Sequence, residues 1–173
     1  MIIETERLIL RNWNKKDIDE LVEGLNDYNV AKFLTIPYPY TKKDACWFVK
    51  NRKKHNANNY YFAITLKDNK KVIGGTNISL KDGKYKGGLW LNSKYAGKGY
   101  GTEVWQARAK FAFETLGLSE LENGFYFDNE ISWKMQKKLG YKIVGESRLF
   151  CPARNEEVKE IVTKLTKEDF YNA

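Results

Sequence analysis

At 173 residues the chain is long enough to bury most of the surface its unfolded form exposes, so one domain spanning residues 1–173 needs no disulfide or metal to be stable. Its two cysteines, Cys46 and Cys151, lie too far apart in sequence to form a disulfide framework or a metal-ligand spacing, and both read as reduced thiols. The formal net charge of +8 is spread over short groups such as Lys15-Lys16, Lys42-Lys43, Lys70-Lys71 and Lys137-Lys138, the pattern of a solvated surface, so neither a nucleic-acid nor a membrane partner is expected. The opening Met1 to Arg7 lacks the basic-then-apolar order of a signal peptide and no apolar run approaches a membrane span, which predicts a cytoplasmic protein.

In chain order, Arg7 to Arg11 is a short β-rich run, after which Asn14 or Asp17 opens a helix carrying Ile18, Leu21, Val22 and Leu25 on one face. Residues 26–40 hold Pro37, Pro39 and four aromatic side chains and read as an irregular flap, lining an acceptor site or sealing the core. Thr41 and Asp44 form a capping box for a helix through about His55 that buries Ala45, Phe48 and Val49. Tyr60 to Leu66, Val72 to Leu80 and Tyr85 to Leu91 are strands of an antiparallel meander, punctuated by polar turns at 67–70 and Asp82-Gly83. Trp105, Ala109, Ala112, Phe113 and Leu116 repeat at helical spacing up to a stop at Gly117. Leu121 to Phe127 is a strand, Asn129 to Leu139 a helix with Ile131, Met135 and Leu139 on one face, and Gly140 its end. Tyr141 to Leu149 and Val158 to Leu165 close the list at seven strands. Two alternations of strand and helix in this half imply parallel strands joined by crossovers.

Between the third meander strand and the helix after it lies Tyr95-Ala96-Gly97-Lys98-Gly99-Tyr100-Gly101-Thr102-Glu103. Its three glycines let backbone N–H groups turn toward one point, and the following helix adds its own unsatisfied N–H groups and positive dipole end. An anionic cofactor is the natural occupant. The run is neither a mononucleotide P-loop, since Gly99 follows Lys98, nor a dinucleotide fingerprint, since its spacing is GxGxG.

Four motifs in order, Thr5-Glu6-Arg7-Leu8-Ile9-Leu10-Arg11, Gly97-Lys98-Gly99-Tyr100-Gly101-Thr102-Glu103, Asn129-Glu130-Ile131-Ser132 and Lys138-Leu139-Gly140-Tyr141, resemble those of the GNAT superfamily of acyl-CoA-dependent N-acetyltransferases, in its RimJ/RimL-like (ribosomal-protein N-acetyltransferase-like) branch. Leu165-Thr166-Lys167-Glu168-Asp169-Phe170 fits the usual end of that branch. The resemblance implies the GNAT fold, an α/β (α+β) arrangement with a central mixed twisted sheet of about seven strands, helices on both faces, and a parallel pair, the fourth and fifth strands, that splays apart. It implies acetyl-CoA as cosubstrate and a primary amine, either a protein N-terminus or a small molecule, as acceptor, with direct transfer in a ternary complex by a monomer or homodimer.

By the same resemblance, the main chain of Trp90 and Leu91 bonds the pantetheine, N–H groups of Gly97, Lys98, Gly99, Tyr100, Gly101 and Thr102 hold the pyrophosphate, and the Asn129 side chain points at the pantetheine. On the residues alone Asn129 is also a plain helix N-cap, and Ser132 a first-turn surface serine. Ser132 is the candidate catalytic residue, its hydroxyl facing the thioester sulfur. The chain departs from the superfamily at three places: Ala96 where a larger side chain is common, Gln136 where many members carry a tyrosine general acid, and Lys86 where an acidic residue is common. No base stands out; Glu146 borders the acceptor cleft in relatives, yet reads more readily as a solvated glutamate. Gln136 and Lys86 motivate an alternative, a catalytically weakened acyl-CoA-binding or partner-binding module. His55, closing the basic run from Arg52, has no partner residues, so no metal is expected.

Overall fold

A computed structural model describes residues 1–52 and 58–173. The alternating and continuous apolar runs pair as read, giving β2 (Leu8–Asn12), β3 (Asn59–Leu66), β4 (Val72–Lys81), β5 (Lys84–Leu91), β6 (Glu120–Tyr126), β7 (Lys142–Cys151) and β8 (Glu156–Thr166), preceded by β1 (Ile2–Glu4). Among the described residues the sheet therefore has eight strands rather than seven, in the order β1-β2-β3-β4-β5-β6-β8-β7. The extra one is the edge strand β1, only three residues long and folded back on β2 (Ile3 opposite Leu10). With it counted, the parallel pair is β5/β6.

The second expected crossover does not make a parallel neighbour. β8 lies between β6 and β7 and is antiparallel to both, so β6 and β7 never pair. A chain that returns by the tight turn after Cys151 reaches the vacant edge of β6 directly.

Helices cover both faces. β3 shows why: Phe62 and Ile64 point to one side, Ala63 to the other, and all are buried. On the first side the cluster includes Leu8, Leu10, Leu121 and Leu165 with Val104, Trp105 and Ala109 of α4 (Tyr100–Lys110), which runs on as a π-helical turn, Phe111–Thr115. On the other side Trp13, Leu21, Leu25, Ala45 and Val49 pack under α1 (Ile18–Leu25) and α3 (Lys42–Arg52). Asn14 caps a 3-10 turn and Asp17 follows as N-cap of α1, so both candidate openers are used, in succession. The expected capping box of α3 forms, with Asp44 accepting from the Thr41 N–H at 2.8 Å; the stretch expected to continue it through His55 lies outside the described residues. The flap is not wholly irregular, since Asp27 caps a short helix, α2 (Tyr28–Ala31).

α5 (Glu130–Lys138) corrects the sequence pattern. Leu139 is buried and Met135 partly so, but Ile131 is 73% exposed and the polar Gln136 is fully buried. Its amide is satisfied at both ends, which removes most of the penalty of burying it. A last helix, α6 (Lys167–Asn172), is capped by Thr166.

Candidate active site

β4 and β5 pair from Gly74↔Leu91 to Lys81↔Lys84, whereas β5 and β6 share the single registered pair Lys86↔Glu122. That closed end is clasped by charge: the buried Glu122 carboxylate receives Lys84 Nζ at 2.6 Å, with Lys86 Nζ at 3.8 Å. Lys86, one of the departures from the superfamily pattern, thus holds the base of the fork. Beyond it the Gly88 carbonyl accepts from Thr76 Oγ1 (2.7 Å) and from Arg108 Nη1 (2.8 Å), so its hydrogen-bonding capacity is used within β4 and α4 rather than on β6. Arg108 is fully buried, its guanidinium 4.0 Å from the Trp105 ring centre. The sequence signal for it was a cation three residues after Trp105, on the apolar face of α4.

The strands diverge into a groove of about 580 Å³. Of the residues expected at the site, Trp90, Leu91, Gly97, Gly99, Tyr100, Gly101, Thr102, Asn129 and Ser132 all line it. Lys98 does not line it: its carbonyl accepts from Arg7 Nη1 at 2.8 Å and its ammonium lies over the Tyr95 ring. Gly97 and Gly99 have φ of +74° and +80°, a region closed to most side chains, and Gly99 is the N-cap of α4. Among the described residues no side chain caps α4, so its first N–H groups are left for another acceptor, backed by the positive end of an 11-residue helix.

The Trp90 side chain explains how β5 is held. Its indole fits against α1 and β4 so closely that a Cβ at Gly24 would stand 2.5 Å from the ring, and one at Gly75 2.6 Å from Nε1. The indole anchors the strand against β4, to which the Trp90 carbonyl also turns. Trp105 also lines the groove, and its buried Nε1–H has no hydrogen-bond partner among the described residues. An unpaired donor beside an uncapped helix start suits a ligand with carbonyls and phosphates, as coenzyme A has.

On the opposite wall Asn129 is an N-cap: its Oδ1 accepts from the Ser132 N–H at 3.2 Å. Ser132 Oγ in turn accepts from Gln136 Nε2 (3.1 Å), and Gln136 Oε1 accepts from Thr163 Oγ1 (2.5 Å). Because Gln136 donates to it, the serine has its own proton free for something else.

Glu146, weighed as a base, is exposed, ion-paired with Lys159 at 3.4 Å, and not among the lining residues. The carboxylate that does line the groove is Glu160 of β8. Nothing in its sequence neighbourhood marked it. Phe33, Val30 and Leu34 add an apolar wall from α2 and the segment after it, and burial pushes the nearby Tyr126 phenol well above its ordinary range, keeping it neutral. Among the described residues no group of three or more His, Cys, Asp or Glu could hold a metal ion, and no helix is long and apolar enough to cross a membrane.

Comparison with known proteins agrees with this geometry. Residues 7–142 match the family model described as an acetyltransferase (GNAT) domain. An uncharacterized N-acetyltransferase of Bacillus subtilis (strain 168), YnaD, is 29% identical over 172 residues, covering 98% of this chain and 99% of its own. The crystal structure of a GNAT-family acetyltransferase from Bacillus anthracis superposes with a TM-score of 0.84 at 26% identity, over 97% of this chain and 99% of that one. The spermidine N-acetyltransferase of Vibrio cholerae, solved in complex with CoA and spermine, shares the fold at a TM-score of 0.80 and 16% identity, over 97% of this chain and all (100%) of its own. Since the family match takes in Arg7, the glycine loop and the Asn129–Ser132 turn together, the chain belongs to the GNAT acetyltransferases, enzymes that take their acyl group from acetyl-CoA and pass it to an amine.

Proposed function

We propose that residues 1–173 act as one RimJ/RimL-like N-acetyltransferase domain that joins the acetyl group of acetyl-CoA to a primary amine, a protein N-terminus or a small molecule, by direct attack in a ternary complex. The observation that carries this reading is that the uncapped first turn of α4 and the Ser132 hydroxyl lie on the walls of one groove. N–H groups from Gly97 to Thr102 would take the pyrophosphate, aided by roughly half a positive charge at the helix start. The main chain of Trp90 and Leu91 and the Nδ2 amide of Asn129, whose Oδ1 is spent on the cap, would take the pantetheine. The Lys98 ammonium, over the Tyr95 ring and off the groove wall, adds long-range charge only.

The Leu91 N–H or its neighbour is the oxyanion donor of this scheme. Ser132 supplies a proton to the departing sulfur. A thiol with a pKa near 8.5 needs little such help, so proximity supplies most of the rate and the serine a smaller part. Neither cysteine serves as an acyl carrier: Cys151 is buried against α2, and Cys46 sits on α3 away from the groove lining.

The test is direct. Purified protein is mixed with acetyl-CoA and a broad panel of amines while thiol release is followed, and CoA binding is measured by calorimetry. Amine-dependent thiol release, reduced in Ser132→Ala, is the expected result. Absence of both CoA binding and thiol release would overturn the reading, and tight binding without turnover would favour the acyl-CoA-binding module, to which the lack of a tyrosine at 136 points.

A further inference from the structure

The geometry points to Glu160 as the group that receives the acceptor amine and takes its proton, and to a small acceptor carrying one positive charge on an apolar body. This rests on the acetyl-transfer reading above and goes beyond it by naming the acceptor class.

Alternation along β8 sets the argument. Thr163 reaches Gln136 of α5, and Leu165 the core beneath α4, while Val158 packs with Tyr126, Cys151 and Phe33 on the other face. Glu160 shares the parity of Val158 and so projects from the sheet face opposite α5. Ser132 and Glu160 therefore approach the fork from opposite faces of the sheet. One serves the sulfur, the other the nucleophile.

The carboxylate is positioned rather than loose. Ser147 Oγ donates to its Oε2 at 2.6 Å, and Oε1 lies over Gly124 of β6, where any Cβ would collide with it. The nearby Arg154 guanidinium is committed to Asp128, at 2.8 Å, and to the Lys32 carbonyl. Among the described residues lining the groove, Glu160 is the one charged side chain. Beside it the acceptor-side wall is mainly apolar, Val30, Phe33, Leu34, Tyr126 and Leu149, with the uncharged Asn29 and Thr35 from the same segment.

A dication entering such a wall leaves one ammonium without a partner, and an amino acid brings a carboxylate to a site with no cation to meet it; either costs more than the contacts return. A monoamine with a hydrocarbon or aromatic remainder meets neither penalty. The four motifs that carry the RimJ/RimL likeness do not bear on this. Their residues serve the glycine loop and α5, not this wall.

The step balances as follows. Glu160 takes one proton from R–NH3+. The freed nitrogen lone pair forms the C–N bond at the thioester carbonyl carbon, and the C–S pair leaves on sulfur. A second N–H proton passes by way of the Ser132 hydroxyl to that sulfur, giving the amide and CoA–SH, and Glu160 returns its proton to water.

The experiment compares wild type, Glu160→Gln, Glu160→Asp and Gly124→Ala. Acetylation of 2-phenylethylamine, spermidine, glutamate and an Ala-initiated hexapeptide is measured, together with calorimetric titration of CoA, and of 2-phenylethylamine into the CoA complex. Wild type should favour 2-phenylethylamine by about tenfold or more in kcat/KM, and Glu160→Gln should lower that value by roughly 100-fold, the scale of a lost general base. Glu160→Asp should recover part of it, Gly124→Ala should lose about tenfold by displacing the carboxylate, and CoA affinity should stay within about twofold throughout while amine affinity falls with Glu160→Gln. Unchanged amine affinity and turnover in Glu160→Gln overturn the role of Glu160. A tenfold preference for spermidine, glutamate or the peptide overturns the acceptor class. Failure of wild type to bind CoA or to acetylate any amine overturns the transferase reading itself, and this one with it.

Discussion

Arg7 and Glu103, 96 residues apart in sequence, are locked together at the start of α4: the Arg7 backbone N–H and Nε each donate to the Glu103 carboxylate at 2.8 Å. The same guanidinium donates to the Lys98 carbonyl at 2.8 Å and lies over the Tyr100 ring, 4.5 Å from its centre. Two motifs that are distant in the sequence are thus one device. Arg7 turns a loop carbonyl away from the groove, which would otherwise present negative dipole to an incoming phosphate. Arg7→Ala should therefore weaken CoA binding by about tenfold, equivalent to roughly 1.4 kcal/mol, in a calorimetric titration. An Arg7→Lys variant should recover little, because one ammonium does not reproduce the forked contacts.

The same clamp predicts how the protein meets acid. Burial would raise the Glu103 carboxyl, but hydrogen bonds from Thr5 and Arg7 outweigh it and hold the group below its ordinary 4.5. A hydrogen bond from Arg154 lowers Asp128, and one from Lys142, with Thr166, lowers Asp169, both from 3.8. Folded values below unfolded ones mean that this stabilisation is complete above the unfolded values and is lost as pH falls through the folded ones. The melting temperature should be flat from pH 7 to about 5 and drop from about 4.5 downward. Glu103→Gln should melt lower at pH 7 and show a shallower acid slope.

Much of the molecule was legible in the sequence because its signals are local. Strand alternation gave seven strands in place, the Thr41–Asp44 box opened α3, and the glycine loop and the Asn129 turn lie on one groove as their motifs implied. What was not legible depends on pairing across the sheet. β1 is too short to show a period; β8 slots between β6 and β7, an order no local pattern encodes; and Gln136 reads as a polar surface position until Thr163 is brought beneath it. Glu160 was missed for the same reason. On β8 it is one glutamate among several, and only the bare backbone of Gly124, diagonally across on β6, makes room for its carboxylate.

The glycine loop offers a test in which strain and binding are read separately. Gly97 has open space around a would-be Cβ, so Gly97→Ala is disfavoured by its φ of +74° alone, costing about 1–2 kcal/mol in a denaturant titration. At Gly99 a Cβ would also stand 3.3 Å from Arg7 Nη2. Gly99→Ala should destabilise at least as much and reduce CoA affinity further, since the guanidinium must give way. Equal CoA affinities for wild type and both variants would mean that this loop does not carry the phosphates.

Gln136 stands where many superfamily members place a tyrosine, and the structure gives it a different task. Its amide, fixed by Thr163, donates to Ser132 Oγ and so turns the serine proton away from α5. If Gln136 acts only by aiming Ser132, removing either should lose the same thing. Ser132→Ala and Gln136→Leu should each lower kcat by about tenfold with the KM for acetyl-CoA within about twofold, and the double variant should be no slower than Ser132→Ala alone. Multiplicative losses in the double variant would instead assign Gln136 an independent part in the reaction. Gln136→Leu should also lower the melting temperature, because it leaves the fully buried Thr163 hydroxyl without its acceptor, at a cost of about 1–3 kcal/mol. Equal, non-additive losses in kcat at an unchanged KM are therefore the signature that distinguishes positioning from packing.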